Sequence, residues 1–371
     1  MWKNLKSLLN ISTDKSTSIK NLKVNGVISH DENKITNVLN EYFCSVGQNT
    51  SNNIQNKYKT TYKKYLNNPI TFNFKLFDIT PNEIRNTIKK FKNKSSNILE
   101  IPIKIYKEIA DIISEPLSLL FNECAAKGEF PKLLKISRIT PIFKCGDEES
   151  CGNYRPISNI HKIAKIFEKI ISNRMLNFIN KHKLLNKSQF GFRPGYGTID
   201  ALHAIMNFIY NSINEKKQAL AIFLDLSKAF DTVKHTILLN KLQYYGFRGK
   251  FYNLLESYLH GRQQYVQLEN SKSDLKTVPT GVPQGTTLAP LLFTLYVNDL
   301  FQSHNLETIS YADDTTILAQ SNSTENMSNI VSEQLKKVDE WLCVNKLKLN
   351  YEKSSYLIFC NKKPIKKLTL K

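Results

Sequence analysis

Two adjacent aspartates, Asp313 and Asp314, divide the stretch 306–319, LETISYADDTTILA, into two short apolar runs. Two β-rich runs with a polar break between them are typical of a hairpin, which predicts that both carboxylates lie on or beside a tight turn. Neighbouring carboxylates repel each other, so the pair favours a bound cation, and oxygen ligands suit Mg²⁺. The alternative, equally supported by this stretch alone, is a hairpin turn that uses Asp only for its turn chemistry.

A third acid, Asp225, ends a nearly continuous apolar run at 219–226, ALAIFLDL, which predicts a buried strand. A strand end and a hairpin turn of one sheet can meet in space, and the acids would then form a carboxylate cluster for two cations. Two metals about 3.5–4 Å apart can stabilise the attacking and leaving oxygens of a phosphoryl displacement. The alternative is that Asp225 is the N-cap of a helix that follows it.

The chain is strongly basic, with 52 Lys and Arg against 32 Asp and Glu and a net charge of +20 spread along its length. This balance favours a polyanionic partner, nucleic acid first and an anionic membrane surface second, bound in a basic groove. No stretch approaches the roughly 20 apolar residues of a membrane-spanning helix, and the start does not resemble a signal peptide. The six cysteines form no C-x-x-C pair, which indicates reduced thiols in an intracellular protein.

The composition changes along the chain. Residues 1–70 are rich in Lys, Asn, Ser and Thr, which predicts a partly ordered leader with weak helical periodicity at 35–46 and disorder at 45–65. Residues 71–129 are predicted to form a helical N-terminal extension, in which Thr80 caps one helix. From 130 to 371 strand and helix patterns alternate. Within that part we predict a strand at Ile136–Lys144, a helix over 160–185, a Gly/Pro-rich loop at 189–195, a strand pair at 264–268 and 276–279, and a helix over 325–346.

Between about 130 and 360 the chain carries ITPIFK, NYRPIS, FEKIISNRM, QFGFRPG, FLDLSKAFDTV, GVPQGTTLAPLLFTLYVNDL, YADD and NKLKLNYEKS, in that order. Each motif alone is a weak signal, but the ordered set resembles the reverse transcriptase of non-LTR (LINE-type, jockey-like) retrotransposons. NEYFCSVG at 40–47 also resembles the segment that precedes the polymerase in that family. The resemblance implies an α+β right-hand polymerase with palm and fingers, an antiparallel palm sheet that carries the acids, and most of the thumb absent.

The resemblance also implies a reaction, RNA-templated DNA synthesis that adds dNTPs to a primer 3′-OH. Asp225, Asp313 and Asp314 would be the catalytic acids and would bind two Mg²⁺ ions, which Mn²⁺ could replace. The partners would be an RNA template and a DNA primer, without a membrane, and the family implies nuclear action on chromosomal DNA. The sequence indicates no oligomeric state.

Four further residues would form the nucleotide pocket by the same resemblance. Phe230 would lie under the incoming sugar and fill the space that a 2′-hydroxyl needs, although an ordinary core aromatic is the alternative. Gly281, Gln284 and Gly285 would line the pocket, because glycine lets the backbone approach base and template closely. Taken alone, this loop is also consistent with a Gly/Pro turn before a helix.

Four basic residues complete the implied site. Lys144 and Arg155 would clamp the triphosphate, although solvated surface charges are the commoner fate of single basic residues. Arg193 could contact template phosphate or serve a structural turn, and both alternatives stay open. Lys353 would lie near the leaving pyrophosphate as a general acid. No general base is evident, which fits phosphoryl transfer by positioning and electrostatics.

The chain departs from the family pattern at 95–100, where SSNILE replaces a Ser-Pro-Gly-Pro-Asp-Gly-like stretch and leaves the geometry of that loop open. No endonuclease precedes residue 1 and the chain stops soon after Lys353, so we expect a fragment of a mobile-element polyprotein with its polymerase core intact. One alternative is a non-catalytic nucleic-acid-binding remnant of a decayed element. A weaker alternative is a group II intron-type maturase, which the absence of a basic domain after the thumb region disfavours.

Overall fold

The computed structural model describes residues 19–24, 26–66, 69–93 and 101–360, so the departure at 95–100 lies outside the described residues. The α-helices in these ranges are α1 (Glu32–Asn52), α2 (Pro81–Lys90), α3 (Ile103–Glu108), α4 (Ala110–Lys127), α5 (Lys162–Lys181), α6 (Thr198–Asn214), α7 (His235–Tyr244), α8 (Lys250–Leu259), α9 (Ala289–Val297) and α10 (Thr324–Val344). The strands are β1 (Leu22–Val24), β2 (Val27–Ser29), β3 (Ile136–Phe143), β4 (Tyr154–Ile160), β5 (Gln218–Leu224), β6 (Gln263–Val266), β7 (Lys276–Thr277), β8 (Glu307–Tyr311), β9 (Asp314–Ser321) and β10 (Ser355–Phe359).

A four-stranded antiparallel sheet with the order β10-β5-β9-β8 carries the three acids, and we call it the acid sheet. Its second strand, β5, is the nearly continuous apolar run, and most of its side chains are buried. The predicted hairpin is confirmed, because Tyr311 of β8 pairs with Asp314 of β9 and leaves only Ala312 and Asp313 between them. An antiparallel sheet that packs with helices in one core agrees with the expected α+β class.

The second four-stranded sheet has the order β4-β3-β6-β7, with β3 antiparallel to β4 and parallel to β6. The strand at β3 and the antiparallel β6–β7 pair were predicted, whereas β4 was not, because Pro156 in its middle argues against a strand. In the structure Pro156 lies opposite Pro141 of β3. The β3–β4 hairpin places Lys144 just beyond the end of one strand and Arg155 near the start of the other.

Helix α2 begins where local chemistry predicts. The Thr80 hydroxyl accepts a hydrogen bond from the Glu83 N–H at 3.3 Å, and Pro81 occupies the first helical position. The main hydrophobic core is formed by buried side chains that lie between Tyr65 and Leu347 in the sequence. It includes side chains of the 71–129 segment and of β5, so that segment packs into the same core as the acid sheet. Among the described helices, none combines the length and apolarity needed to cross a membrane.

The N-terminal helix α1 is longer than the weak periodicity at 35–46 predicts. The expected disorder at 45–65 is wrong for the end of α1 and for the 3₁₀ turn Tyr62–Tyr65. Ile35 and Phe43 of α1 pack in a second core with side chains of β3 and β6. The helix is therefore built onto the second sheet, while the proposed domain boundaries stay predictions.

Candidate active site

The hairpin turn presents two carboxylates at one end of the acid sheet. Ala312 has a positive φ of 61°, the conformation that the first residue of a two-residue hairpin loop adopts in a type II′ turn. Asp313 is half-buried and Asp314 is exposed, so neither carboxylate is enclosed by apolar side chains. This agrees with the sequence prediction.

The QFGFRPG loop supports this turn from the side. The Phe190 N–H donates to the Ser310 carbonyl at 2.8 Å, and the Ser310 N–H donates to the Ser188 carbonyl at 2.9 Å, so the loop runs beside β8. A Cβ atom on Gly191 would lie 1.9 Å from the Ala312 nitrogen. Only glycine leaves room for this approach, and the turn is therefore fixed from outside its own hairpin.

Asp225 follows β5 directly and lies beside the turn. Leu224 pairs with Thr315, so the next residues in register are Asp225 and Asp314. The Asn350 side-chain N–H donates to Asp225 Oδ2 at 2.9 Å, and the Asn350 backbone N–H donates to the Asp225 carbonyl at 2.8 Å. The next helix, α7, begins well beyond this point, so the helix-capping alternative for Asp225 is wrong.

The acids share one electrostatic environment. Partial loss of hydration raises the pKa of Asp314, and the negative charges of Asp313 and Asp225 raise it further. The positive charges of Lys144 and Arg155 oppose this rise. The structure therefore brings the three predicted acids and two predicted cations into one site.

The acids fit a divalent cation that is completed by a ligand. Within the described ranges, no three His, Cys, Asp or Glu side chains are arranged as a finished metal site. Mg²⁺ commonly takes one or two carboxylates and fills its other positions with water and substrate phosphates. The carboxylates of Asp225, Asp313 and Asp314 repel one another, and basic side chains lie nearby. This combination suits that mode of binding.

Four basic side chains near the site lie close enough to interact electrostatically. Burial, and then the charges of Arg155 and Lys353, lower the pKa of Lys144. Burial also lowers the pKa of Lys228, and Lys144, Lys353 and Arg155 lower it further, although Asp231 opposes them. Lys144, Arg155 and Lys353 were predicted from the sequence, whereas Lys228 was missed because a single lysine in a turn carries no pattern.

The glycine loop at 281–285 packs against the chain that follows Asp225. Gly281 has a φ of 87°, and a Cβ atom there would lie 2.8 Å from the Asp231 carbonyl oxygen. Its N–H donates to the Val233 carbonyl at 2.9 Å, and the Val282 N–H donates to the Phe230 carbonyl at 2.9 Å. The loop is thus more than a turn before α9, because it is hydrogen-bonded to the segment that carries Phe230.

The Gln284 side chain has a partner within the protein. The Gln284 Nε2 atom donates to Asp231 Oδ1 at 2.8 Å, and the Gln284 backbone carbonyl accepts from the Ser158 N–H at 2.7 Å. Burial raises the pKa of Asp231 to about 6, and the hydrogen bond from Gln284 opposes that rise. Gly285, with a φ of 93°, ends the loop against β4. Asp231 was not predicted from the sequence.

The Phe230 ring is half-buried and lies between two other rings. It stacks on Phe293 with a centroid separation of 4.6 Å and meets Phe192 edge-on at 6.2 Å. One face therefore packs on the main core, as the core-aromatic alternative expects, while part of the ring stays accessible. Its role under the nucleotide sugar stays a prediction.

The Arg193 guanidinium is engaged by its own loop. It donates to the carbonyls of Asn186 at 3.1 Å and Gln189 at 3.0 Å, and it lies 4.6 Å from the Tyr196 ring centre. These contacts are those of the structural-turn alternative. Contact with template phosphate stays a prediction.

A buried acid that the sequence did not single out holds the start of α9. Glu168 of α5 accepts hydrogen bonds from the N–H groups of Thr287 at 2.8 Å and Leu288 at 3.2 Å. The Tyr258 hydroxyl donates to its other oxygen at 2.9 Å. Glu168 therefore fixes the segment just after the glycine loop, and its place inside the apolar pattern FEKIISNRM was the available signal.

Carboxylates at one end of an antiparallel sheet, opposed by cations and bordered by a glycine loop, are the arrangement of a nucleotidyltransferase site. Residues 142–371 match the family model described as reverse transcriptase (RNA-dependent DNA polymerase). The chain belongs to the reverse transcriptase family. Enzymes of this family generally use divalent metal ions.

The resemblance to non-LTR elements is confirmed by curated relatives. The chain is 31% identical over 312 residues to the RNA-directed DNA polymerase from mobile element jockey of Drosophila melanogaster. The matched region covers 81% of this chain and 34% of that protein. It is 31% identical over 302 residues to the probable RNA-directed DNA polymerase from transposon BS of the same species, covering 78% and 33%. The chain thus spans about a third of the length of the curated relatives it matches.

Proposed function

We propose that this chain catalyses RNA-templated DNA synthesis, adding dNTPs to the 3′-OH of a DNA primer. The observation that carries the proposal is the meeting of Asp225, Asp313 and Asp314 with a set of cations at one end of the acid sheet. In this proposal the acid sheet is the palm, and the second sheet, which supplies Lys144 and Arg155, belongs to the fingers.

The three aspartates would hold two Mg²⁺ ions, for which Mn²⁺ could substitute. Bound there, the ions would stabilise charge on the attacking and leaving oxygens. Lys144 and Arg155 would hold the triphosphate through charge-assisted hydrogen bonds. Lys353, which is exposed beside Lys144, would donate a proton to the leaving pyrophosphate.

The accessible part of the Phe230 ring would exclude a 2′-hydroxyl and so select deoxynucleotides. The glycine loop would let the backbone approach the base pair, with Gly281 against the Phe230 segment and Gly285 against β4. Gln284 would act through its backbone or after exchanging its contact with Asp231. Arg193 would hold its loop and reach template phosphate only if it gave up those contacts.

The net charge of +20 supports binding of template and primer by counterion release, with strong salt dependence. Action on chromosomal DNA in the nucleus stays a prediction from the family.

The test is primer extension on poly(rA)/oligo(dT) with dTTP and Mg²⁺, comparing the parent with Asp313→Asn. We expect extension by the parent, none by the variant, and similar affinity for template–primer by fluorescence anisotropy. Asp274→Asn, an exposed acid between β6 and β7, is the matched control and should extend like the parent. Normal extension by Asp313→Asn would refute the metal assignment. Salt-sensitive RNA binding without extension by the parent would favour the non-catalytic remnant.

A further inference from the structure

Lys228 follows β5 in the same turn as Asp225 and is held in an unusual conformation. Its φ is 51°, a value that L side chains rarely adopt. Its Nζ atom donates to the Gly152 carbonyl at 3.0 Å and lies 5.5 Å from the centre of the Tyr42 ring. The ammonium group is thus fixed by two contacts outside its own turn.

Tyr42 belongs to the N-terminal helix α1, which no part of the proposed mechanism uses. It is half-buried in the second core, beside Phe143 and Cys151. A Cβ atom on Gly152 would lie 3.4 Å from the Tyr42 hydroxyl, so the ring and the loop before β4 are in close contact. Three segments distant in sequence therefore meet around the Lys228 ammonium.

Cations outnumber acids around Lys228. Burial disfavours its charged form, the nearby acid Asp231 favours it, and Lys144, Lys353 and Arg155 disfavour it. The neighbouring acid, Asp231, is already hydrogen-bonded by Gln284. Cations that repel one another and remain partly accessible gain most from a ligand that carries several negative charges.

We propose that Lys228 is a fourth cation of the triphosphate-binding site and that Tyr42 positions it. Helix α1 would then supply one wall of the nucleotide site. The inference rests on the proposed function and deepens it, because it adds two residues to the ligand contact of the same site. The competing role for Lys228 is a structural tie to Gly152 without ligand contact.

The variants separate these two roles. Lys228→Met removes the charge and the hydrogen bond, whereas Lys228→Gln removes the charge and keeps a neutral N–H donor, one atom nearer the backbone, for the Gly152 carbonyl. Tyr42→Leu removes the aromatic ring under the ammonium, whereas Tyr42→Phe keeps the ring and removes only its hydroxyl. Lys272→Met is the matched control, because Lys272 is exposed and lies 4.3 Å from the Tyr265 ring, outside the site.

Two measurements are made on the full chain: steady-state extension at varied dTTP, and calorimetric binding of inorganic tripolyphosphate without template. We expect both Lys228 variants to raise KM for dTTP and weaken tripolyphosphate binding about tenfold, with a smaller change in kcat. Tyr42→Leu should give about a threefold weakening, roughly 0.7 kcal/mol, and Tyr42→Phe and Lys272→Met should match the parent.

Equal tripolyphosphate affinity in the parent and Lys228→Gln would overturn the inference, as would failure of the parent to bind tripolyphosphate. If Lys228→Met does not fold, Lys228→Gln and Tyr42→Leu still decide the question. The proposed function fails separately. A parent that binds tripolyphosphate through Lys228 but extends no primer would support the anion site and refute synthesis. A parent that extends primer normally with an unchanged KM in Lys228→Gln would refute only the inference.

Discussion

Lysine and aspartate meet in two regions of this molecule, and the two arrangements differ in burial and in balance. Lys241 and Asp299 form a single pair with an Nζ–Oδ1 distance of 2.7 Å and side chains that are 0% and 1% exposed. Lys241 also donates to the Tyr296 carbonyl at 2.6 Å, and the Trp341 indole donates to Asp299 Oδ1 at 3.2 Å. At the end of the acid sheet, by contrast, several acids and several cations stay accessible and unmatched.

The same two residue types form a buried structural pair in one place and, under the proposed function, a ligand site in the other. Burial raises the pKa of Asp299 and lowers that of Lys241, and each partner's charge opposes the shift. The buried charges therefore stabilise each other. Burial and the neighbouring carboxylates raise the pKa of Asp314, and the charges of Lys144 and Arg155 oppose that rise. Under the proposed function, bound metal ions would neutralise the remaining repulsion between the acids.

Asp314→Asn should produce the largest effect, a large loss of activity without a loss of folding stability. We expect primer extension to fall about a thousandfold or more, because the proposed metal site loses a ligand. Folding stability should stay equal or rise slightly, because the substitution removes a repelled charge. Extension assays and urea unfolding measure the two quantities. A variant that keeps its activity, or one that unfolds at clearly lower urea, would break the comparison.

Lys241→Met should do the reverse and act mainly on stability. Removing one partner leaves Asp299 buried without its cation, which costs about 3–5 kcal/mol. Urea unfolding should show this loss, while Lys272→Met, at an exposed position, should unfold like the parent. Replacing both partners, Lys241→Met with Asp299→Leu, should recover much of the loss. Parent-like stability in the single variant would contradict a structural role for the pair.

Asn350→Ala should have an intermediate effect on activity. The Asn350 side chain fixes the Asp225 carboxylate, and loss of such a supporting contact commonly costs 10- to 100-fold in metal affinity or activity. We expect extension to fall by about that factor and to need more Mg²⁺. Asn326→Ala, at an exposed position of α10, is the matched control. An unchanged Mg²⁺ dependence would show that Asp225 is positioned by its strand alone.

The hairpin, the end of β5 and the start of α2 could be predicted because local patterns determine them. Alternating apolar runs around Asp313, the apolar run before Asp225 and the cap at Thr80 need no distant partner. The antiparallel pairing that sets Asp225 beside Asp314 could be stated as a possibility, since strand ends of one sheet meet. The resemblance to the family, carried by the ordered motifs, turned that possibility into a specific prediction for Asp225, Asp313 and Asp314.

The supporting residues could not be found this way, because their roles arise from long-range contacts. Asn350 and Lys228 are single polar residues in turns, and nothing in their local sequence indicates which loop they reach. Helix α1 was hidden for another reason. The polar composition of 1–70 masks the few apolar residues, such as Ile35 and Phe43, that bury one face on the second sheet.

Asp231→Asn should have the smallest effect, a change in how stability depends on pH. Burial raises the pKa of Asp231 to about 6, above the value of about 3.9 in an unfolded chain. The folded state therefore binds more protons than the unfolded state between about pH 4 and 6, so this group makes stability fall as pH rises through that window. The variant lacks the titration, while its amide can still accept the hydrogen bond from Gln284.

The measurable quantity is the stability of the parent minus that of Asp231→Asn, from urea unfolding at several pH values. It should decrease by about 2 kcal/mol from pH 4 to 6 and become constant above about pH 7. Burial lowers the pKa of His235 and His304 to about 4, so both make stability rise with pH over the same range. Because both proteins contain these histidines, their contribution cancels in the difference. A difference that does not vary with pH would show that burial does not raise the pKa of Asp231 and that its carboxylate stays ionised over this whole pH range.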